Sequence, residues 1–298
     1  MKQNCDILFI GHCTRDEITI KSKLDKLPGG GVYFGAISAG WCLKRFSPTE
    51  AKELRVLTIG DPEDFIVIKK EFEESGIKLS LIENDCTTTF VHSFKDEQPD
   101  KRISSVRDVA RSFEWKDIAD YHARIFYVNP LFYGEVDPSL FELMKNNCDL
   151  ISVDSQGLLR RRNGNELYHQ TPENLESVLK YVDILKVDAE EASSLSGITD
   201  NTDAACGYLL TKGPKYIICT QSTGVAIYHG DEKYWSDFGK WTLEGRTGRG
   251  DTVSAAFILL HFILGFDIQN ALNKAAEGCS NKMMHPGAAV EADFAQIQ

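Results

Sequence analysis

The sequence lacks most of the patterns that would assign a chemistry at once. Its eight cysteines, Cys5, Cys13, Cys42, Cys86, Cys148, Cys206, Cys219 and Cys279, include no C-x-x-C pair, and no histidine cluster lies beside them. This argues against a zinc site or a dithiol redox couple and predicts free thiols in a reducing compartment. Those inside apolar runs, such as Cys219 in YIICT, read as core residues. Basic residues are outnumbered, 33 against 44 acidic ones, for a net charge of −11. That is the wrong sign for a surface that tracks nucleic-acid phosphates, although a local basic pocket for a small anion remains compatible with it. Long apolar runs are missing too. AAFILLHFILGF (255–266) is shorter than a membrane span and contains His261, so it reads as a buried helix. DILFIG near the start is too short for a secretory leader and begins with Asp6. A cytoplasmic protein with neither a nucleic-acid nor a membrane partner is therefore expected. No G-x-x-x-x-G-K-[ST] loop occurs, since Gly239-Lys240 is followed by Trp241. The G-x-S-x-G elbow is absent as well, Ser38 in GAISAGW having the wrong spacing.

What is present is an alternation. DILFIG (6–11), RVLTIG (55–60), ARIFYVN (123–129), DLISVD (149–154), DILKVD (183–188) and KYIICT (215–220) are short and almost continuously apolar, as buried parallel strands should be. Helical patterns lie between them: VYFGAISAGWCLK, PEDFIVIKKEFEES, PENLESVLKYV, AEEASSLSG and NTDAACGYLLTKG. Strand-helix alternation predicts an α/β fold with a doubly wound, mostly parallel sheet flanked by helices. Two segments instead alternate polar and apolar, TRDEITIKSK (14–23) and TTTFVHSFKDEQPDKRISSV (87–106). They predict a small sheet wetted on one face, forming a lid from about 12–25 and 87–106 on a single domain of residues 1–298. Its exposed edge predicts a homodimer through the lid. In such sheets ligands bind beyond the carboxyl ends of the strands. Asp16, Asn129 and Asp154 stand at such ends. For Asp16 the alternative is a polar residue on an exposed strand, and for Asn129 a turn cap.

The stretch GRTGRGDTVSAAF (245–257) puts three glycines and two arginines before an apolar helix. Gly248 and Gly250 can take positive φ and let backbone N–H groups converge on one point. The following helix start adds further N–H groups and partial positive charge, which makes an anion site. The plainer reading is a loop and an N-cap. Arg246 and Arg249 favour the anion, and Asp251 at the helix start either caps the helix or faces the anion's reaction partner.

Set beside the rest of the chain, this stretch resembles the C-terminal signature of the PfkB (ribokinase-like) carbohydrate kinases, approximately D-T-x-G-A-G-D. The resemblance extends in order over nearly the whole chain. Gly29-Gly30-Gly31 looks like the family's di-glycine at a helix start, and Asp16 like its early sugar-contacting Asp. Asp188-Ala189-Glu190-Glu191 looks like its N-x-x-E motif, and Thr220-Gln221-Ser222-Thr223-Gly224 like its T-x-G motif. VNPLFYGE (128–135), VDSQG (153–157), LEGRTGRGDT (243–252) and MMHPG (283–287) resemble a branch regarded as myo-inositol kinases. The departures are Gly35 for the family's Asn after the di-glycine, Gly245 for its first signature Asp, Arg249 for its Ala, Asp188 for its Asn and Ser222 for its Gly.

The resemblance implies an ATP-dependent kinase that transfers the γ-phosphate to a hydroxyl of a small-molecule sugar or polyol, myo-inositol or a related cyclitol foremost. Asp251 would be the base, Gly248 and Gly250 the anion hole, and Arg249 a cation on the transferring phosphoryl group. For Arg249 the alternative is a surface pair with Glu244. Asp16, Gly30, Gly31, Asn129 and Asp154 would bind substrate. Thr220, Ser222, Gly224 and His285 would lie on the nucleotide side, though a loop histidine serves structure equally well. Asp188 and Glu191 would hold Mg2+, unless they only cap a helix. A nucleoside kinase with Tyr33, Phe34 or Phe90 as its stacking shelf is the first alternative. The second is a non-catalytic sugar- or nucleotide-binding regulator, against which Asp251 speaks.

Overall fold

In the computed structural model, which describes residues 2–20, 23–95, 98–242 and 244–298, the first strand feeds two cores at once. β1 (Gln3–Ile10) sends Ile7 and Phe9 into one apolar cluster and Leu8 and Ile10 into another. Successive side chains of a strand point to opposite faces, so a strand covered on both sides must be apolar at every position. That is the physical content of DILFIG. Lys21, Ser22, Asp96 and Glu97 of the expected lid, and Leu243 of LEGRTGRGDT, lie outside the described residues.

The strands that follow are β2 (Thr14–Ile20), β3 (Lys23–Gly29), β4 (Leu54–Gly60), β5 (Lys78–Glu83), β6 (Thr89–Lys95), β7 (Gln98–Asp108), β8 (Tyr121–Val128), β9 (Cys148–Asp154), β10 (Arg160–Asn163), β11 (Glu166–His169), β12 (Ile184–Asp188), β13 (Tyr216–Thr220), β14 (Gly224–His229) and β15 (Glu232–Asp237). One sheet has the order β15-β14-β13-β12-β9-β8-β1-β4-β5. It is parallel from β13 to β5, and β14 and β15 extend it antiparallel. Helices Gly31–Phe46, Arg249–Ile258 and Ile268–Lys282 cover the Phe9 face. Helices Leu140–Met144, Ala189–Ser196 and Thr202–Leu210 cover the other. All six expected apolar strands are present. The helix expected in PENLESVLKYV shrinks to Leu175–Leu179, and the apolar run after Asp251 widens into a π-helical turn over Leu259–Ile263. No helix among the described residues is long and apolar enough to cross a membrane.

The small sheet has the order β3-β2-β6-β7. Its outer pairs are antiparallel, as the alternating pattern predicts, but the central pair β2–β6 is parallel. It roots where β1 and β5 end, beside the carboxyl ends of the large sheet. Phe90 and Val106 of this sheet pack on Leu131 and Phe132, which follow β8.

A buried polar hub ties this root down. His12 Nε2 bonds the Arg111 carbonyl (3.0 Å) and its Nδ1 the Thr88 hydroxyl (2.9 Å). The Glu135 carboxyl accepts the N–H groups of His12 (2.7 Å) and Leu131 (2.9 Å). Burial pushes the His12 imidazole down to about 4 from 6.5 and the Glu135 carboxyl up to about 8 from 4.5. Between about pH 4 and 6.5 the folded state holds less of the His12 proton than the unfolded chain, so that group adds stability as pH rises. Between about 4.5 and 8 it holds more of the Glu135 proton, so that group removes stability as pH rises. The two oppose each other at lower pH, and only Glu135 acts from about pH 6.5 to 8. Urea unfolding is expected to show stability falling across that upper window, and Glu135→Gln is expected to flatten the fall. An unchanged slope in the variant would remove Glu135 from the account.

Candidate active site

The carboxyl ends of β8, β9, β12 and β13 meet the start of the Arg249–Ile258 helix. Gly248 is its N-cap, at φ +78°. Helical backbone begins at Arg249, so Gly250 lies in the first turn and not, as expected, in a positive-φ loop. The reason for a glycine there is space. A Cβ at Gly250 would sit 2.9 Å from Lys186 Cε, 3.1 Å from Lys186 Nζ and 3.7 Å from Thr220 Oγ1. Asp251 is the third helical residue, within the turn whose N–H groups have no partner inside the helix. A Cβ at Gly248 would meet the Phe34 ring at 2.5 Å. Gly248→Ala therefore combines this clash with the left-handed penalty of about 1–2 kcal/mol. It is expected to lower the urea midpoint and weaken anion binding, and wild-type values for both would refute this.

Asp251 is held by Asn129, whose Nδ2 donates to Asp251 Oδ1 at 2.8 Å. Asn129 thus does more than cap a turn, and its Oδ1 is buried with no hydrogen-bond partner among the described residues. Gly31 makes room for it, because a Cβ there would strike the Asn129 amide at 2.3 Å. Gly30, at φ +92°, approaches the His12 carbonyl in the same way. Asp16 stands next to this turn, with a Cβ at Gly29 reaching its carboxylate at 2.4 Å. Asp16 accepts the Thr14 hydroxyl (2.7 Å), and His92 Nε2 lies 3.4 Å from its other oxygen. Gly31, Asn129 and Asp251 are therefore linked by contact, and Asp16 lies against Gly29 in the same turn.

Lys186 is the residue that sequence reasoning missed. Its Nζ pairs with Asp154 Oδ2 at 2.9 Å, both side chains nearly buried. Burial by itself would strip its proton, but Asp154, Glu191 and Asp251 outweigh burial and hold its pKa well above the lysine value. Burial raises the Asp251 carboxyl above its ordinary value, with Lys186 pulling back and Asp154 adding to the rise. Burial likewise raises Asp154, against the pull of Lys186. The available signal was a charge inside an otherwise apolar strand, DILKVD, where lysine is seldom found without a partner. Tyr127 is a second omission. Its hydroxyl is buried near Asn129 with no hydrogen bond of ordinary geometry among the described residues, and burial, then Asp251 and Asp154, hold its proton on.

Arg249 makes no ion pair with Glu244 or with any other carboxylate among the described residues. Its guanidinium lies 5.7 Å from the Phe238 ring centre. Asp188 and Glu191 form a capping box. Glu191 N donates to Asp188 Oδ1, and Asp188 N to Glu191 Oε2, each at 2.8 Å. Ser155 donates to the same Oε2, and among the described residues Asp188 Oδ2 and Glu191 Oε1 accept no hydrogen bond. No group of three His, Cys, Asp or Glu among the described residues is placed to hold a metal.

The nucleotide-side residues do not gather at the helix start. Thr220 does, beneath Gly250. Ser222 is exposed in the turn between β13 and β14, and Gly224 opens β14 against Trp235. His285 Nε2 is held by the Asp293 carboxylate at 3.1 Å and its Nδ1 meets the Pro286 carbonyl at 3.0 Å. Tyr33 and Phe34 are core residues, and Tyr33 donates to Glu71, so neither presents a stacking face.

Residues 59–282 match the family described as pfkB family carbohydrate kinase. No curated protein matches the sequence. Among solved structures, a pyrophosphate-dependent kinase in the ribokinase family, complexed with a pyrophosphate analog and myo-inositol, is 32% identical. The match covers 97% of this chain and 98% of that one, with a TM-score of 0.85. A pyrophosphate-dependent myo-inositol-1 kinase, converted into a myo-inositol-3 kinase by two substitutions, is 30% identical over 97% and 96% of the two chains, TM-score 0.85. Arabidopsis thaliana ribokinase complexed with ribose and ATP shares the fold at 15% identity, covering 99% of each chain, TM-score 0.74.

Proposed function

We propose that this chain, which belongs to the pfkB family of carbohydrate kinases, transfers a phosphoryl group from inorganic pyrophosphate to a hydroxyl of myo-inositol or a closely related cyclitol. The observation that carries the reading is the partly buried Asp251 carboxylate, held by Asn129 in a glycine-capped first helical turn above Lys186. A base beside an anion-binding turn is the pair of groups that phosphoryl transfer to a hydroxyl needs.

The acceptor hydroxyl gives its proton to Asp251 as its oxygen attacks the terminal phosphorus. The bond from that phosphorus to the bridging oxygen breaks, orthophosphate leaves, and a phosphate monoester forms. The N–H groups of the first turn face the equatorial oxygens, where one such donor contributes about 3 kcal/mol. Lys186 supplies positive charge from below. Asn129 holds the Asp251 carboxylate in place to take that proton. Asp16 is placed to accept from other hydroxyls of the ring.

Three observations support pyrophosphate over ATP, the donor implied by the family resemblance. The 30–32% identical structures are pyrophosphate-dependent kinases. Arg249, the first residue of the helix, makes no ion pair with a carboxylate among the described residues. The expected adenine neighbour His285 is tied to Asp293. Asp188 Oδ2 and Glu191 Oε1, with the donor's phosphates, would hold a magnesium ion that keeps most of its waters. Bound there, it supplies charge neutralisation to the donor.

The test is a matrix of pyrophosphate or ATP against myo-inositol, other cyclitols, hexoses, ribose and nucleosides. Turnover with pyrophosphate and a cyclitol is expected. Turnover with ATP alone would return the donor to the nucleotide, and turnover with nucleosides alone would discard the acceptor.

A further inference from the structure

Lys282 is fully buried, at the last position of the Ile268–Lys282 helix. A buried ammonium is ordinarily matched by a carboxylate. Lys282 has no ion pair among the described residues. The Asp293 carboxylate bonds His285, and Asp251 bonds Asn129. The Lys282 Nζ donates instead to two backbone carbonyls, Gly245 at 2.7 Å and Thr247. These belong to the turn that leads into Gly248 and the anion-binding helix start. The Phe34 ring, which a Cβ at Gly248 would strike, lies 5.5 Å from the same Nζ. The neighbouring residue stitches the turn further. The Met283 carbonyl accepts from Thr242 N (3.0 Å) and Thr242 Oγ1 (3.1 Å), and Thr242 Oγ1 accepts from Gly245 N (3.1 Å).

We infer that Lys282 is a positioning residue, a built-in monovalent cation that draws the Gly245 and Thr247 carbonyls inward so that the N–H groups beyond Gly248 face the polyphosphate. The inference rests on the anion-binding reading of that turn. Carbonyl dipoles facing the ligand would repel it, and the ammonium holds two of them the other way. It also places a positive charge behind the site without meeting the substrate. Burial lowers its pKa to about 8, with Cys279, Asp293 and Asp251 opposing, so the group stays protonated at neutral pH.

The experiment measures pyrophosphate binding by calorimetry, and turnover, for wild type, Lys282→Met and Lys282→Ala. Losing two charge-assisted hydrogen bonds that orient the turn is expected to weaken pyrophosphate by about 10- to 100-fold in both variants, with the acceptor KM unchanged. Ammonium or methylammonium, small enough for the space left in Lys282→Ala, is expected to restore binding. Tetramethylammonium at the same ionic strength is expected not to. Variants that bind like wild type, or an Ala variant rescued equally by all three cations, would overturn the inference. Should Lys282→Ala fail to fold, Lys282→Gln carries the comparison. It keeps an N–H donor without the charge, and wild-type affinity there would be equally fatal. The same titration is run with ATP. A wild type that binds only ATP changes the donor and leaves the Lys282 comparison intact, while a wild type that binds neither overturns both readings.

Discussion

Asp251→Asn is expected to lower kcat by about 10²–10⁴-fold, the usual worth of a positioned base, with KM for donor and acceptor nearly unchanged. The amide is isosteric and its oxygen still accepts from Asn129 Nδ2, so the first helical turn keeps its shape. What is lost is the place for the hydroxyl's proton. Because burial raises the Asp251 pKa, the acid limb of the wild-type rate profile is expected above the ordinary aspartate range. It should be absent from whatever rate the variant retains. Removing a carboxylate that burial disfavours costs the fold little, so unfolding midpoints should be equal or higher. Full activity in Asp251→Asn would remove the base from the mechanism. A parallel loss of stability would instead make Asp251 a structural residue.

Lys186→Met is expected to damage stability and turnover together. The side chain is nearly buried, and its removal leaves Asp154 without its partner and Asp251 without its compensating charge. Breaking a buried pair from one side costs about 3–5 kcal/mol, read as a shift in the urea midpoint. Asp154→Asn combined with Lys186→Met removes both members of the pair, and neutral replacement of a buried pair is often tolerated. The double variant should therefore recover most of the stability and none of the turnover. Recovery of both would show that Lys186 only balances Asp154.

The sequence revealed those parts whose physics is local. The six apolar strands were legible because helices cover both faces of the sheet, leaving few polar positions in each run. The strands KLSLIE and EKYWSD passed unnoticed because their side chains are half-exposed, without a clean period of either kind. The T-x-G-like stretch forms the tight turn of an antiparallel pair, and its second strand was not anticipated from the sequence. Asp251 was legible because glycines and a charge before an apolar helix are locally unexplained. Gly250 was read for its backbone freedom, whereas its role is to leave room for Lys186. That could not be seen from the chain alone, since β12 and the Arg249–Ile258 helix meet only through the sheet order. Lys282 was hidden for the same reason, since its partners Gly245 and Thr247 lie far back along the chain.

The central claim is that this site moves a phosphoryl group from pyrophosphate to a cyclitol, and phosphorus NMR of the wild-type reaction tests it most directly. With pyrophosphate, magnesium and myo-inositol, the account predicts one phosphate monoester and one orthophosphate for each pyrophosphate consumed. Orthophosphate alone, or an ester that forms only when ATP replaces pyrophosphate, would contradict it.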